Sequence, residues 1–245
     1  PKTVKDHWQQ QFIDATSQIL DTLAPRGAAD LVQDYAMPVS AQALIAMTGL
    51  TNMTWREMDR VSQGMIDGCS NYHGDPETTA RCHDCTASIE RHIEARMPAL
   101  RANPDRSLLS VQMQADLSQA QIHANLKLAI SGGQNEPRDA IAGAAWAVLH
   151  HPKQYALIKS GAHSWMDAFE EYARWMSPIG MSPRRVTQDY EIGGVPIAAE
   201  ARAFFMFGSG NRDAAAFAKP DLFDLGQDRS KAISFGAGPH FCAGA

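Results

Sequence analysis

No stretch of the 245-residue chain stays apolar over the roughly 20 residues that a membrane-spanning helix requires. The opening Pro1-Lys2-Thr3-Val4-Lys5-Asp6 also lacks the apolar core of a secretory leader. A basic excess is missing too. Lys and Arg number 22 against 27 Asp and Glu, for a formal net charge of -5. That balance argues against nucleic acid as a partner, because phosphate binding rests on clustered cations. Repeats, low-complexity tracts and a dividing linker are absent as well. The expectation is one domain over residues 1–245, without a membrane or nucleic-acid partner, in a cytoplasmic, reducing setting. At 44% hydrophobic and 20% charged residues the composition is that of an ordinary folded protein.

Cysteine is scarce, with four in all. Cys82-His83-Asp84-Cys85 supplies half of a zinc site, with Cys69, His73 and His83 nearby. No second Cys-x-x-Cys completes it, and the stretch from Thr78 to Arg96 reads as continuous helix. These three cysteines are expected to be incidental.

Helical periodicity dominates what is present. Trp8, Phe12, Ile19 and Leu23 mark an apolar face that Pro25-Arg26-Gly27 ends. A second helix is expected from about Asp30 to Met47, bent or divided at Pro38. Thr51 to Thr54 reads as a turn and cap before a helix with Trp55, Met58, Val61 and Met65. A loop over 70–76 leads to a long helix that stops near Arg96, before Pro98. Ser118 caps a further helix that reaches toward His150 with an interruption. Two more helices cover Lys153 to Ser160 and Ser164 to Met176. Extended structure is expected only late, as a hairpin turning at Gly193-Gly194 and a strand over Ala203 to Phe207. The predicted class is mainly α with a small β part.

The most specific segment is Phe235-Gly236-Ala237-Gly238-Pro239-His240-Phe241-Cys242. Its glycines allow positive φ and close backbone approach. Backbone N–H groups around a sulfur stabilise a thiolate and tune a metal bound to it. The spacing Phe235-x-x-Gly238-x-His240-x-Cys242-x-Gly244 resembles the haem-binding loop of the cytochrome P450 family. The resemblance implies that Cys242 is the axial ligand of the iron in haem b (iron protoporphyrin IX), with Phe235 and Gly236 against the cofactor.

Other segments agree with it. Glu171-Tyr172-Ala173-Arg174 is similar to the family's structural Glu-x-x-Arg pair, although an isolated i,i+3 pair of this kind is ordinarily a surface feature. The further arginine that the family often adds falls at Leu222 here. By register Arg184, with Arg185 in reserve, matches a residue that holds a haem propionate, and His240 matches a second. Asn211-Arg212-Asp213 fits a structural tripeptide before the loop. The likeness runs from the first helix to Cys242, while the segments that flank this span in the family fall outside the sequence. A fragment is therefore expected.

Ser131-Gly132-Gly133-Gln134-Asn135-Glu136-Pro137 departs from the family. Counting back from His151-Pro152, Asn135 stands at the usual acid and Glu136 and Pro137 at two usual threonines. Pro137 has no N–H for the carbonyl of Gly133, so a kinked helix with a side-chain-free pocket at Gly132 and Gly133 is expected there. Such a pocket suits O2. Glu136 or Asn135, through water, is the expected proton relay in place of the missing threonine. The resemblance implies a monooxygenase that acts on a small organic substrate, with electrons from a separate ferredoxin- or flavodoxin-type protein. A peroxide-driven peroxygenase, another haem-thiolate enzyme and a non-catalytic haem sensor are the alternatives.

Overall fold

Caps and prolines set most of the helix boundaries in the computed structural model, which describes residues 4–242 and Gly244. The chain forms two compact units, Pro1–Ala142 and Gly143–Ala245.

In the first unit a π-helical turn, Val4–Trp8, runs into α1 (Gln9–Leu23) and ends at Gly27, whose φ is 66°. Asp30 caps the next segment through bonds from the N–H groups of Val32 and Gln33. That segment is π-helical over Leu31–Ala36 and then becomes α2 (Met37–Thr48). Pro38 accounts for the change. It offers no N–H to the carbonyl of Asp34, and the Met37 N–H reaches back five residues to Val32. The helix expected to bend at Pro38 is thus a wide turn followed by a regular helix.

Thr54 caps α3 (Trp55–Cys69) and Asp75 caps α4 (Pro76–Ala102). The expected stop near Arg96 is overturned, since α4 continues through Pro98. Met97 and Leu100 are buried on the same side as Ile89 and Ile93, and their packing holds a turn that the proline alone disfavours. Ser107 caps the short α5 (Leu108–Gln114), and a Ser118–Gln121 capping box starts α6 (Gln119–Ser131). The core of this unit is built around Leu50, Met58, Val61, Leu109, Leu126 and Ile130.

The helix α7 (Asn135–His150) contains the cut between the units. In the second unit, α8 (Pro152–Lys159) and α9 (Trp165–Met176) follow, the latter started by a Ser164–Asp167 capping box. A glycine, Gly143, leaves the space that the Tyr172 ring fills. Ala147, Val148, Ala168, Phe223 and Leu225 form the local core.

The strands are short and paired two by two. β1 (Ser182–Arg185) lies antiparallel to β4 (Arg202–Phe205), with Arg184 opposite Ala203. β2 (Tyr190–Ile192) pairs with β3 (Val195–Ile197) across Gly193 and Gly194, at φ 57° and 80°. Two positive φ values in a two-residue loop suit the twist of a hairpin. The strand expected to reach Phe207 stops at Phe205, and Phe207 opens the short helix α10 (Phe207–Gly210). A 3-10 turn, Gly238–His240, is the last element.

Candidate functional site

The loop around Cys242 is closed by its own backbone. Cys242 N–H donates to the Phe235 carbonyl at 2.9 Å, Gly236 N–H to Ile233 at 2.9 Å and Phe241 N–H to Gly238 at 3.0 Å. Gly236 and Gly238 stand at φ 73° and 71°, where a side chain would strain the turn. Gly244 N–H then points at Cys242 Sγ from 3.3 Å. The sulfur is exposed and carries an N–H donor of the kind that stabilises a thiolate. These features fit an iron-ligating thiolate. Phe235 stacks obliquely on Phe169, with ring centroids 6.2 Å apart.

The pedestal of this loop is built from α9. Glu171 and Arg174 are both wholly buried and bound twice, Nε to Oε2 at 2.8 Å and Nη2 to Oε1 at 2.6 Å. The surface pair that their spacing alone suggests is not what forms. Arg174 also donates to the carbonyls of Asn211, Pro220 and Leu222, so all five of its donors are used. Glu171 accepts the Asp224 N–H as well. Leu222 stands where the family often has an arginine, and its backbone carbonyl meets the pair instead.

Asn211 continues the chain of contacts. Its Nδ2 donates to Ser177 Oγ at 2.8 Å and Ser234 Oγ at 3.0 Å, and its Oδ1 accepts the Ile233 N–H at 2.8 Å. Ser234 Oγ donates to the Ala173 carbonyl at 2.7 Å. The residue next to Phe235 is therefore tied to α9. The sequence pattern pointed to Asn211 and missed Ser177 and Ser234, which look like ordinary loop serines.

The expected propionate partners are separate features of the second unit. Arg184 is exposed on β1, donates to Ser182 Oγ and the Pro183 carbonyl, and lies over the Phe205 ring. Arg185 is exposed and paired with Glu200. His240 is exposed in the 3-10 turn. Among the described residues no hydrogen bond joins Arg184 to His240 or to the Cys242 loop.

In the first unit, the expected kink is a break. α6 ends at Ser131 and α7 restarts at Asn135. Pro137 falls in the first turn of α7, where its N–H would have had no helical partner. The missing donor therefore disrupts nothing within a continuous helix. Gly133 does not open a void either. A Cβ there would meet the Ala129 carbonyl oxygen at 2.5 Å and Leu44 Cδ1 at 3.0 Å, so the glycine fits against the end of α6 and against α2. Gly132 is the freer of the two, with Leu128 O nearest at 3.6 Å.

A buried polar cluster surrounds the break. Gln134 Nε2 donates to Asp59 Oδ1 at 3.0 Å, Ser40 Oγ donates to the Gln134 carbonyl at 2.7 Å, and Arg138 Nη1 reaches Asp59 Oδ1 at 3.4 Å. Gln134 Oε1, Asn135 Oδ1 and Glu136 Oε2 are buried without a protein partner. Burial pushes the Glu136 carboxyl above its ordinary value, and Asp139 adds to that, against its own backbone N–H and Arg138. Asp59 and Ser40 were not singled out from sequence, although Asp59 sits beside the apolar Met58 and Val61 stripe.

Among the described residues no group of three or more His, Cys, Asp and Glu is placed to hold a metal ion. Among the same residues no helix is long and apolar enough to cross a membrane.

Residues 167–245 match the family model described as Cytochrome P450. The chain is 27% identical over 248 residues to a steroid C26-monooxygenase of Mycobacterium tuberculosis, a match that covers 99% of this chain and 66% of the relative. It is 25% identical over 256 residues to the pulcherriminic acid synthase of Bacillus subtilis, covering 98% of this chain and 63% of that protein. The crystal structure of P450BioI in complex with an acyl carrier protein ligated to hexadec-9Z-enoic acid superposes with a TM-score of 0.89 at 21% identity. That likeness covers 100% of this chain and 64% of the other. The chain thus spans less than two thirds of the length of the proteins it resembles here.

Proposed function

We propose that the protein is a haem-thiolate monooxygenase of the cytochrome P450 family, whose model matches residues 167–245, and that it inserts one atom of O2 into a small organic substrate. The observation that carries this reading is Cys242 Sγ, exposed in a closed loop and facing the Gly244 N–H at 3.3 Å. On this reading residues 1–245 belong to a single domain, and Cys242 holds the iron of haem b. Phe235 and Gly236 shape the ligand loop, and Arg184 and His240 serve the propionates by charge-assisted hydrogen bonds. When bound, the haem supplies the redox chemistry that splits O2. Glu171 and Arg174 act on none of this chemistry and hold the loop's pedestal in place.

Around the α6–α7 break, Gly132 and Gly133 lie on the oxygen side of the reading. Burial raises the Glu136 carboxyl above its ordinary value, which suits a group that takes up and hands on a proton. Asn135 Oδ1 is an acceptor without a protein partner and suits a water that links it to Glu136. Electrons come from a separate ferredoxin- or flavodoxin-type protein, and the setting is the cytoplasm.

One observation favours a second reading. Pro137 supplies no hydroxyl where the family commonly has a threonine, which suits a peroxide-driven reaction that needs no reductive activation of O2. Dependence of turnover on an electron donor separates the two. The thiolate itself is tested by the carbon monoxide difference spectrum of the reduced, haem-loaded protein. A red-shifted Soret band is expected, and its absence would overturn the assignment of Cys242.

A further inference from the structure

We propose that Cys69 and Cys82 are a peroxide-responsive thiol pair that closes into a reversible disulfide across the seam between α3 and α4. The seam is built for sulfur. Gly64 and Gly68 lie one turn apart on α3, and the sulfurs of Cys85 and Cys82 occupy the spaces that their missing side chains leave. The two helices run antiparallel, because Gly64 meets Cys85 while Gly68 meets Cys82. That register brings Cys69 level with Arg81 and Cys82.

The link between the helices keeps this register. Asn71 Nδ2 donates to the Asp75 carbonyl at 2.8 Å and to Thr79 Oγ1 at 3.0 Å, and the Asp75 N–H returns to Asn71 Oδ1 at 2.9 Å. The turn over residues 70–75 is tied to the start of α4, so the end of α3 is held beside Cys82. Electrostatics agree, since burial raises the Cys82 thiol and a charge on Cys69 raises it further. The pair also divides by access. Cys69 is exposed, Cys82 is half-buried and Cys85 is buried with its thiol raised by burial.

This division gives each thiol a role. The Cys69 thiolate attacks one oxygen of hydrogen peroxide, the O–O bond breaks, and the departing hydroxide takes a proton to become water. Cys69 is then a sulfenic acid. Cys82, on losing its proton, attacks the Cys69 sulfur, the S–OH bond breaks and a second water leaves. Two thiols and one hydrogen peroxide thus give one disulfide and two waters. Cys85 has its sulfur buried in the Gly64 notch, which keeps it out of the exchange.

The full-length protein treated with graded hydrogen peroxide, alkylated and digested should yield a Cys69–Cys82 cross-linked peptide pair, two hydrogens lighter than the sum of the free peptides. Dithiothreitol should return both thiols, and Cys85 should become alkylatable only on unfolding. Cys69→Ser and Cys82→Ser should each abolish the cross-link, while Cys85→Ser should keep it. Sulfinic acid on Cys69, a dimer joined through Cys69, or a Cys82–Cys85 bridge as the main product would each overturn the proposal. The peroxide is added, so the outcome does not depend on what the Cys242 loop binds.

Discussion

Arg174 Nη2 donates to the backbone carbonyl of Leu222 at 2.9 Å, with the arginine side chain wholly buried. The contact gives the second Nη2 proton its acceptor. It also means that the guanidinium is fully matched, since Glu171, Asn211, Pro220 and Leu222 together take every donor. A buried charge in such a setting is tolerated only while its partners stay.

Removing one partner should therefore be severe. Glu171→Ala leaves a buried cation without its counter-charge and is expected to lose about 3–5 kcal/mol of stability. Arg174→Lys keeps the charge and surrenders the planar fork, so it should also destabilise strongly. Thermal or urea unfolding of the variants beside the parent protein measures both. A loss below about 1 kcal/mol, the level of an exposed pair, would contradict the burial described for these two residues.

Glu136 makes a prediction in pH. Its folded-state value is raised, so its contribution to stability is complete below the ordinary glutamate value and falls away as pH climbs through the raised one. Glu136→Gln removes the ionisation. The variant should gain stability relative to the parent at neutral pH, and the gain should vanish in acid. Chemical denaturation at several pH values reads the difference, and a constant offset across them would speak against a raised carboxyl. If the residue also delivers protons, the same variant should release more peroxide per electron pair during turnover.

Gly143 and Tyr172 give a steric test. A methyl at position 143 would overlap the tyrosine ring. Gly143→Ala is expected to destabilise by about 1–3 kcal/mol, as overpacked positions do, despite the better helix propensity of alanine. Unfolding midpoints check the sign. A stabilised variant would mean that the ring can swing away freely.

Pro98 offers the reverse case. It is exposed within α4 and leaves the Glu94 carbonyl without its helical donor. Pro98→Ala restores that bond and should raise stability by about 1 kcal/mol, part of the propensity gain being offset by a freer unfolded chain. Urea midpoints decide it.

Legibility from sequence followed the range of the forces involved. Caps such as Thr54 and Ser118, and the Gly193-Gly194 hairpin, act within a few residues and were readable. So was the Cys242 loop, whose glycines serve the backbone of the same ten residues. The passage of α4 through Pro98 was not, because the apolar contacts of Met97 and Leu100 come from elsewhere in the chain. The break at Gly132 and Gly133 was expected as a kink with an open pocket. At Gly133 that space is taken by the Ala129 carbonyl and by Leu44, the latter some ninety positions earlier. Leu108–Gln114 was too short to show a period. The burial of Glu171 and Arg174 was invisible in their spacing, which is the same for a solvated pair, and only residues 211–224 decide it.

Asn211 ties Ser177 to Ile233 and Ser234, so the loop that presents Cys242 rests on contacts between distant parts of the chain. During synthesis the chain emerges from its N-terminal end. Helix α9 and Asn211 leave the ribosome first, and Ser234 only just before the thiol itself. A nascent chain halted at residue 230 would hold Asn211 with two of its three side-chain bonds unmade and nothing to brace. The sulfur and its support therefore arrive together, which leaves little time for a bare thiol to meet the wrong partner.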